Sequence, residues 1–345
     1  MQSREVLEAQ AVWFAAPRMV EMRGEQVPLP GPGQVRVQTL VSALSHGTER
    51  LVFRGEVPPD LPLDLPTLAG SFAFPIKYGY AVVGRVRDVG PDVTTHQPND
   101  LVFVLHPHQT IFNVSAAMVV RLPTDLDPLL GVFVANLETA VNIAHDTPIQ
   151  LGETAIIFGQ GVVGLLVAQM LRLRGAVRVF AVEPALVRQR LAQLVGVDAV
   201  WAPLPDLLAQ LRANNRGRAA DVAIEVSGAP GALQSAIDVV DQDGTVVVGS
   251  WYGTKPVTLM LGGHFHRGRV QLRSSQVGRL NPELSARWDY ARRQQFVLDL
   301  LPRVNLADLI THRVGFADAP EAYRLIDETP DVTGQVVLVY DDYLT

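Results

Sequence analysis

The sequence predicts an α/β protein built from a β-rich part and a doubly wound parallel sheet. Up to Pro128 the chain is rich in proline and glycine and carries short alternating runs, which are typical of strands joined by turns. Beyond Pro128, short runs of Val, Ile and Ala alternate with helical segments, a pattern typical of a parallel sheet covered on both faces. A length of 345 residues favours two domains rather than one.

The individual elements follow from these two rhythms. In the β-rich part, strands are predicted at residues 34–40, 80–89 and 100–105. The second part predicts a buried helix at 129–145, helices at 162–174 and 186–195, and strands at 155–158, 177–182, 198–202, 221–226, 245–249 and 270–273. A helix at 316–326 and a lone strand at 334–340 complete the chain. We therefore predict domains at residues 1–135 and 136–276, with residues 277–345 returning to the first domain.

Composition excludes several classes of protein. The net charge is −6 and the Lys and Arg residues are scattered, whereas nucleic-acid binding needs a basic stripe. The chain has no cysteine, so it has no disulfide, no thiolate nucleophile and no cysteine metal site. The first residues lack the apolar core of a signal peptide, and no apolar run reaches the ~18–20 residues of a membrane span. We expect a cytoplasmic protein without membrane or nucleic-acid partners.

A glycine-rich turn carries the clearest functional motif. Residues 158–164 read FGQGVVG, in which Gly159, Gly161 and Gly164 have the GxGxxG spacing between a predicted strand and a predicted helix. The first glycine permits a tight turn, the second leaves room for a pyrophosphate against the backbone, and the third lets the helix approach the strand closely. The free backbone amides of Val162 and Val163 at the start of the helix would face the phosphates. This predicts a dinucleotide site; the alternative is a plain strand–helix turn without ligand.

Four further positions bear on the predicted dinucleotide. Glu183 ends the second strand nineteen residues after Gly164, where a carboxylate accepts from ribose hydroxyls and repels a 2′-phosphate. It favours NAD, although Arg188 and Arg190 follow closely and leave NADP open. Ser227, Ser250 and Trp251 close later strands, at the sheet edge that faces ligands, and are predicted to contact the ribose and nicotinamide. The alternative is that they are turn residues only.

The order of these parts resembles the medium-chain dehydrogenase/reductase superfamily. The resemblance covers nearly the whole chain and implies a GroES-like β-rich barrel domain plus a Rossmann domain, with an active site in the cleft between them. It implies an oxidoreductase that uses NAD, with NADP possible, on a small-molecule substrate. The stretches NLETAVN, SWYGTKP, LRSSQVG and HPHQ look most like the bacteriochlorophyllide-dehydrogenase-like branch.

The same resemblance implies that this chain lacks catalytic zinc. Zinc-dependent members have a GICGTD-like turn and a GHExxG-like motif, whereas this chain reads ALSHGTE and GYAVVG at the matching positions. His46 stands at the cysteine position, Tyr80 at the histidine and Ala81 at the acid, and Ala135 lies near the third ligand. We therefore predict no metal.

Without a metal, hydrogen-bond donors must stabilise charge and move the proton. The resemblance implies that His46 and Tyr80 point into the cleft, that Thr48 matches a proton-relaying hydroxyl and that His106 is a pocket side chain. We predict that Tyr80 hydrogen-bonds the substrate oxygen while His46 or Thr48 passes the proton outward. The alternatives are a turn histidine at 46, a core aromatic at 80 and loop histidines at 106 and 108.

Three functions therefore stay open at this point. The first is a zinc-independent alcohol dehydrogenase or carbonyl reductase, and the second is a reductase of activated C=C bonds, as in the quinone and enoyl reductases of the superfamily. The third is a non-catalytic dinucleotide-binding protein. The resemblance also implies a homodimer through sheet edges, for which residues 245–265, with an edge at 257–261, are the predicted region.

Overall fold

The computed structural model describes residues 6–63, 65 and 67–344, and it divides the chain into two compact units. Unit 1 comprises Met1–Ala135, Ile310–Thr329 and Gln335–Thr345, and unit 2 comprises Asn136–Leu309 and Pro330–Gly334. Across the described ranges, none of the helices combines the length and the apolar character that crossing a bilayer requires.

The strands and helices of the described residues are numbered in chain order. The strands are β1 Leu7–Ala16, β2 Met19–Val27, β3 Gln34–Ala43, β4 Val82–Val89, β5 Leu101–Val104, β6 Ile111–Ser115, β7 Val119–Arg121, β8 Thr154–Phe158, β9 Arg178–Val182, β10 Ala199–Trp201, β11 Ala220–Glu225, β12 Val240–Val248, β13 Gln271–Ser274, β14 Ile310–Gly315 and β15 Gln335–Val339. The α-helices are α1 Thr48–Arg54, α2 Pro128–Gly131, α3 Val134–Asp146, α4 Val162–Arg174, α5 Leu186–Leu194, α6 Leu207–Asn214, α7 Pro230–Val239, α8 Tyr290–Leu300, α9 Ala319–Glu328 and α10 Asp341–Leu344.

Unit 1 is the β-rich part. Its main sheet has the order β14-β15-β3-β4-β5-β7, with β6 paired to β3, and β1 and β2 form a separate antiparallel pair. The strand β15 pairs antiparallel with β3, as expected for a chain that returns to the first sheet. A buried cluster that includes Phe14, Phe53 and Tyr323 packs α1 and α9 in this unit. These helices matter for the site because α1 starts at Thr48, inside the ALSHGTE stretch.

Unit 2 is a parallel sheet of order β10-β9-β8-β11-β12-β13. The first strand, β8, lies in the middle: the chain moves outward from it through β9 and β10, then crosses to β11 on its other side. Strands buried on both faces explain the fully buried run of β8. The predicted fold class, a GroES-like β-rich domain plus a Rossmann doubly wound sheet, is confirmed.

The return to unit 1 begins later than the predicted residue 277, because α8 stays in unit 2. Arg293 of α8 is only 2% exposed. It donates to Glu138 at 2.7 Å and to Asn142 at 2.7 Å, both on α3. This buried guanidinium fixes α8 to α3, so the chain returns to unit 1 at Ile310.

Two other segments differ from the prediction. The single helix predicted at 129–145 is two helices, α2 and α3, and Gly131 ends α2 where a Cβ would lie 2.7 Å from Leu122. Residues 257–261 do not form the predicted edge strand. Val257 and Leu259 instead pack against the core of unit 2, and the outer strand on that side is β13.

Candidate functional site

The glycine turn between β8 and α4 has the geometry that the sequence predicts. Gly159 adopts φ +93°, a left-handed conformation that favours glycine, and a Cβ there would lie 2.7 Å from Ser227 Cα. A Cβ on Gly164 would lie 2.0 Å from the Gly159 carbonyl oxygen. Beside Gly161, in contrast, no atom lies within 4 Å of a Cβ position. The turn is therefore tightly backed at two glycines and open at the third.

The open glycine starts the helix. Gly161 is the N-cap of α4 and no side chain caps it, so Val162 and Val163 lie in a first turn with uncapped amides. Such amides, together with the helix dipole, favour an anion. The helix ends at Gly175 in a left-handed conformation, φ +106°, as predicted.

Glu183 follows β9 and is only 3% exposed. One carboxylate oxygen accepts from the Gln160 amide at 2.8 Å and the other accepts from the Ala185 amide at 2.9 Å. The structure thus brings the carboxylate to the glycine turn itself. Arg188, in contrast, donates to the Pro330 and Thr333 carbonyls. These hydrogen bonds engage the guanidinium that, from the sequence, could have paired with the 2′-phosphate of NADP.

Several polar residues lie together at the carboxyl ends of β11 and β12, and the sequence predicted all of them except one. Ser227 and Ser250 lie together here, since the Gly228 amide donates to Ser250 Oγ at 2.8 Å beside Ser227. Trp251 is 39% exposed. The missed residue is Glu225, which is fully buried and accepts from the Ser227 hydroxyl at 2.5 Å. Its signal was available: it is the one charged residue inside the apolar run VAIEV.

In unit 1 the structure brings Tyr80 and Thr48 together. The Tyr80 hydroxyl lies near the side-chain hydroxyls of Ser45 and Thr48. Burial, followed by the nearby charge of Glu49, raises the pKa of Tyr80 to about 12, and the two neighbouring hydroxyls act in the opposite direction. Thr48 starts α1, and His46 lies half-buried two residues earlier. Tyr80 is therefore a neutral phenol beside two hydroxyls.

Behind this group lies a buried network centred on Glu49, which is fully buried. One oxygen of Glu49 accepts from the Ser45 amide at 3.2 Å. The other accepts from the Tyr323 hydroxyl at 2.6 Å and lies 3.0 Å from His108 Nε2. The network continues from His108 Nδ1 to Ser42 Oγ at 2.8 Å. The sequence left His108 as a loop histidine, because its partner Glu49 lies 59 residues earlier and Tyr323 lies still farther along the chain.

His106 makes different contacts. Its ring stacks on Phe112 with centroids 3.6 Å apart, and its Nδ1 lies 2.8 Å from the Pro107 carbonyl oxygen. Burial lowers the pKa of His106 to about 3, although the Pro107 hydrogen bond acts in the opposite direction. The imidazole is therefore neutral at ordinary pH, and its role as a pocket side chain stays a prediction.

The residues at the position of the superfamily's zinc site do not fit that ion. Zinc is held by thiolate, imidazole and carboxylate ligands. Here Tyr80 is a neutral phenol, and both oxygens of Glu49 are engaged with protein donors. Glu138, near the third ligand position, is paired with Arg293. Within the described residues no three His, Asp or Glu side chains are grouped to hold a metal ion.

Comparisons with known proteins agree with this fold. The family described as zinc-binding dehydrogenases matches residues 162–292. D-guloside 3-dehydrogenase of Escherichia coli K12 is 26% identical over 320 residues, which is 86% of this chain and 90% of that enzyme. The 2-desacetyl-2-hydroxyethyl bacteriochlorophyllide A dehydrogenase of Cereibacter sphaeroides is 26% identical over 349 residues, 93% of this chain and 95% of that enzyme. These matches confirm the resemblance to the medium-chain dehydrogenase/reductase superfamily that the sequence motifs indicate.

A solved member shows the shared fold. The structure described as a short chain alcohol dehydrogenase of Escherichia coli CFT073, complexed with the cofactor NADH, superposes with a TM-score of 0.78 at 18% identity. The superposition covers 96% of this chain and 99% of that one. At this identity the superposition shows a shared fold.

Proposed function

We propose that this protein is a nicotinamide-dependent oxidoreductase that transfers hydride between the nicotinamide and an alcohol or carbonyl substrate without catalytic zinc. The similar proteins are named as dehydrogenases, and the solved relative from Escherichia coli CFT073 holds NADH. The bound nicotinamide would supply or accept hydride, and the chain must bind the dinucleotide and handle one proton.

The single observation that carries the proposal is the glycine turn. Gly159 and Gly164 have no room for a side chain, yet no atom lies within 4 Å of a Cβ on Gly161. Protein atoms therefore pack closely against Gly159 and Gly164, while the space beside Gly161 at the start of α4 is open. This arrangement fits a pyrophosphate at the helix N-terminus. Gly159, Gly161, Val162, Val163 and Gly164 would bind it through backbone amides.

Glu183 supports NAD over NADP in this proposal. Its carboxylate is fixed by the Gln160 and Ala185 amides, so a negative charge stays at the turn. That charge would repel a 2′-phosphate and could accept from ribose hydroxyls. Arg188 donates to backbone carbonyls in unit 2, which leaves it less able to compensate.

Tyr80 is the proposed proton donor. Its pKa of about 12 keeps the phenol protonated at neutral pH, so it can give a proton to an alkoxide or enolate formed by hydride addition. Ser45 and Thr48, whose hydroxyls lie near that of Tyr80, would orient it and pass the replacement proton. A neutral phenol is a poor base, and this favours the reductive direction over alcohol oxidation at neutral pH.

The same observation supports reduction of an activated C=C bond as a second candidate, because an enolate also needs only a weak acid. The test is NADH oxidation at 340 nm against a panel of aldehydes, ketones and enones. Turnover of carbonyls supports the first candidate, and turnover of enones alone supports the second. Tyr80→Phe should lower kcat by about 100-fold or more, in the range of general acid catalysis.

A matched control for Tyr80→Phe is Tyr343→Phe, which removes the hydroxyl of a tyrosine in the same unit that lies 3.5 Å from an Asp127 oxygen. It should turn over at the unaltered rate. Full activity of Tyr80→Phe, or absence of NADH and NADPH oxidation across the whole panel, would count against the catalytic proposal. NADH binding without any turnover would instead support the non-catalytic alternative.

We also propose a homodimer through the edge of the unit 2 sheet. The structure gives β13 as the outer strand there, so β13 replaces residues 257–261 as the proposed pairing edge. Elution at the mass of one chain in size-exclusion chromatography would contradict it.

A further inference from the structure

A fully buried carboxylate lies outside the proton-handling group described above. Glu225 ends β11 and has no exposed surface. In the described part of the chain, neither lysine nor arginine forms an ion pair with it. A buried carboxylate is costly unless donors surround it, so its hydrogen bonds show what holds it in place.

Three of those donors belong to the next turn. One carboxylate oxygen of Glu225 accepts from the Ser227 amide at 2.7 Å, the Ser227 hydroxyl at 2.5 Å and the Gly228 amide at 3.1 Å. This turn packs against the phosphate-binding turn, since a Cβ on Gly159 would contact Ser227 at 2.7 Å. One carboxylate oxygen therefore fixes the turn that lies against Gly159.

The other oxygen reaches a different loop. It accepts from the Tyr252 hydroxyl at 2.6 Å, and Tyr252 lies in the segment that follows β12. The Gly228 amide also donates to Ser250 in that segment, at 2.8 Å. Glu225 thus ties together the ends of two neighbouring strands, and Trp251 lies between Ser250 and Tyr252 in the sequence.

The order of strands indicates which half of a dinucleotide lies here. Strands β11 and β12 follow β8 on one side, and β9, which precedes Glu183, lies on the other. With the pyrophosphate at the start of α4 and the adenosine ribose at Glu183, the nicotinamide half must extend over the ends of β11 and β12.

We propose that Glu225 is a positioning residue for the nicotinamide half of the dinucleotide, an inference that rests on the proposed function. It acts through Ser227, Gly228 and Tyr252 and does not itself touch the ligand. Loosening this carboxylate should therefore weaken binding of the whole dinucleotide while leaving its adenosine half bound as before.

The experiment measures dissociation constants of NADH and of ADP for the full chain and its variants. Glu225→Gln keeps the shape but offers one acceptor oxygen rather than two, so either the turn or Tyr252 loses its acceptor. Tyr252→Phe removes only the donor to the second oxygen. We expect the glutamine variant to bind NADH about tenfold more weakly, equivalent to about 1.4 kcal/mol. Tyr252→Phe should shift NADH binding in the same direction, and neither variant should change ADP binding.

The control is Asp221→Asn at the opposite end of the same strand. Asp221 accepts from the Thr154 amide at 2.8 Å, so the variant also loses a carboxylate that holds backbone. It should bind both ligands as the unaltered chain does. NADH binding that is unchanged in both Glu225→Gln and Tyr252→Phe would overturn the inference, as would an equal loss of ADP affinity. If the unaltered chain binds neither NADH nor NADPH, the proposed function fails first and this inference with it.

Discussion

Two neighbouring glycines of the phosphate-binding turn should respond differently to the same added methyl group. Gly161→Ala places the methyl where no atom lies within 4 Å. Gly161 adopts φ −66° and ψ −179°, which alanine also adopts. Alanine is a poorer N-cap than glycine, which lowers the free energy of unfolding by about 0.5–1 kcal/mol. Alanine also restricts the conformations of the unfolded chain, which raises the free energy of unfolding by about 0.4–1 kcal/mol. We therefore expect unfolding at nearly the unaltered temperature.

Gly164→Ala places the methyl 2.0 Å from the Gly159 carbonyl oxygen and 3.0 Å from its carbon, both backbone atoms. A normal contact of carbon with oxygen is about 3.3 Å or more, so α4 and the turn must separate by about 1 Å. Overpacking of this kind costs about 1–3 kcal/mol, against a gain of about 1 kcal/mol from helix propensity. The clash therefore outweighs the propensity, and the variant should be less stable.

Thermal unfolding and NADH titration of both variants test this difference. Gly161→Ala should keep its Tm and bind NADH at least tenfold more weakly, because the methyl occupies the space proposed for the pyrophosphate. Gly164→Ala should lose both Tm and affinity. If Gly161→Ala binds NADH as tightly as the unaltered chain, the pyrophosphate does not lie against this glycine, and the reasoning from the turn is refuted.

Three further predictions concern charge. Removing the charge of Glu49 in Glu49→Gln should lower the pKa of Tyr80, so the alkaline fall of the reduction rate should move to lower pH; a shift upward would contradict the role assigned to that charge. The pKa of His106 is lowered to about 3, so the stability that its neutral ring contributes is complete above pH 6.5 and is lost as the pH falls. At pH 5 the protonation of His106 on unfolding should lower the free energy of unfolding by about 2 kcal/mol. Denaturant titrations of His106→Gln should not show this decrease in the free energy of unfolding. Glu183→Ser should narrow the difference between the NADH and NADPH dissociation constants, and an unchanged ratio would show that the carboxylate does not face the ribose.

Local pattern was sufficient to predict the strand, glycine turn and helix that begin the sheet of unit 2. The helix at 162–174, its terminal Gly175 and the strand before the glycine turn are determined by residues close together in the sequence. Turn chemistry and apolar periodicity act over such short distances, so both are readable without the fold. The single long helix at 129–145 was wrong because apolar residues continue across residues 132–133, where the structure separates α2 from α3.

The site in unit 1 was predictable only in outline. Alignment with the superfamily motifs identified Tyr80 and Thr48, whose hydroxyls the structure places near one another. The partners of His108 were not predicted, because its hydrogen-bonding network includes Glu49, 59 residues away, and Tyr323, 274 residues from Glu49. Glu225 was missed for the opposite reason: an isolated acid in an apolar strand indicates a partner but does not name it, and Tyr252 is supplied by the next strand's loop.

The central claim is that Tyr80, beside Ser45 and Thr48, donates the proton in a reaction that zinc assists in the zinc-dependent relatives. The most direct measurement combines elemental analysis of the purified chain with NADH-dependent turnover before and after treatment with a strong zinc chelator. The account predicts zinc far below one ion per chain and unchanged turnover after chelation. Stoichiometric zinc, with turnover that chelation abolishes and added zinc restores, would contradict it.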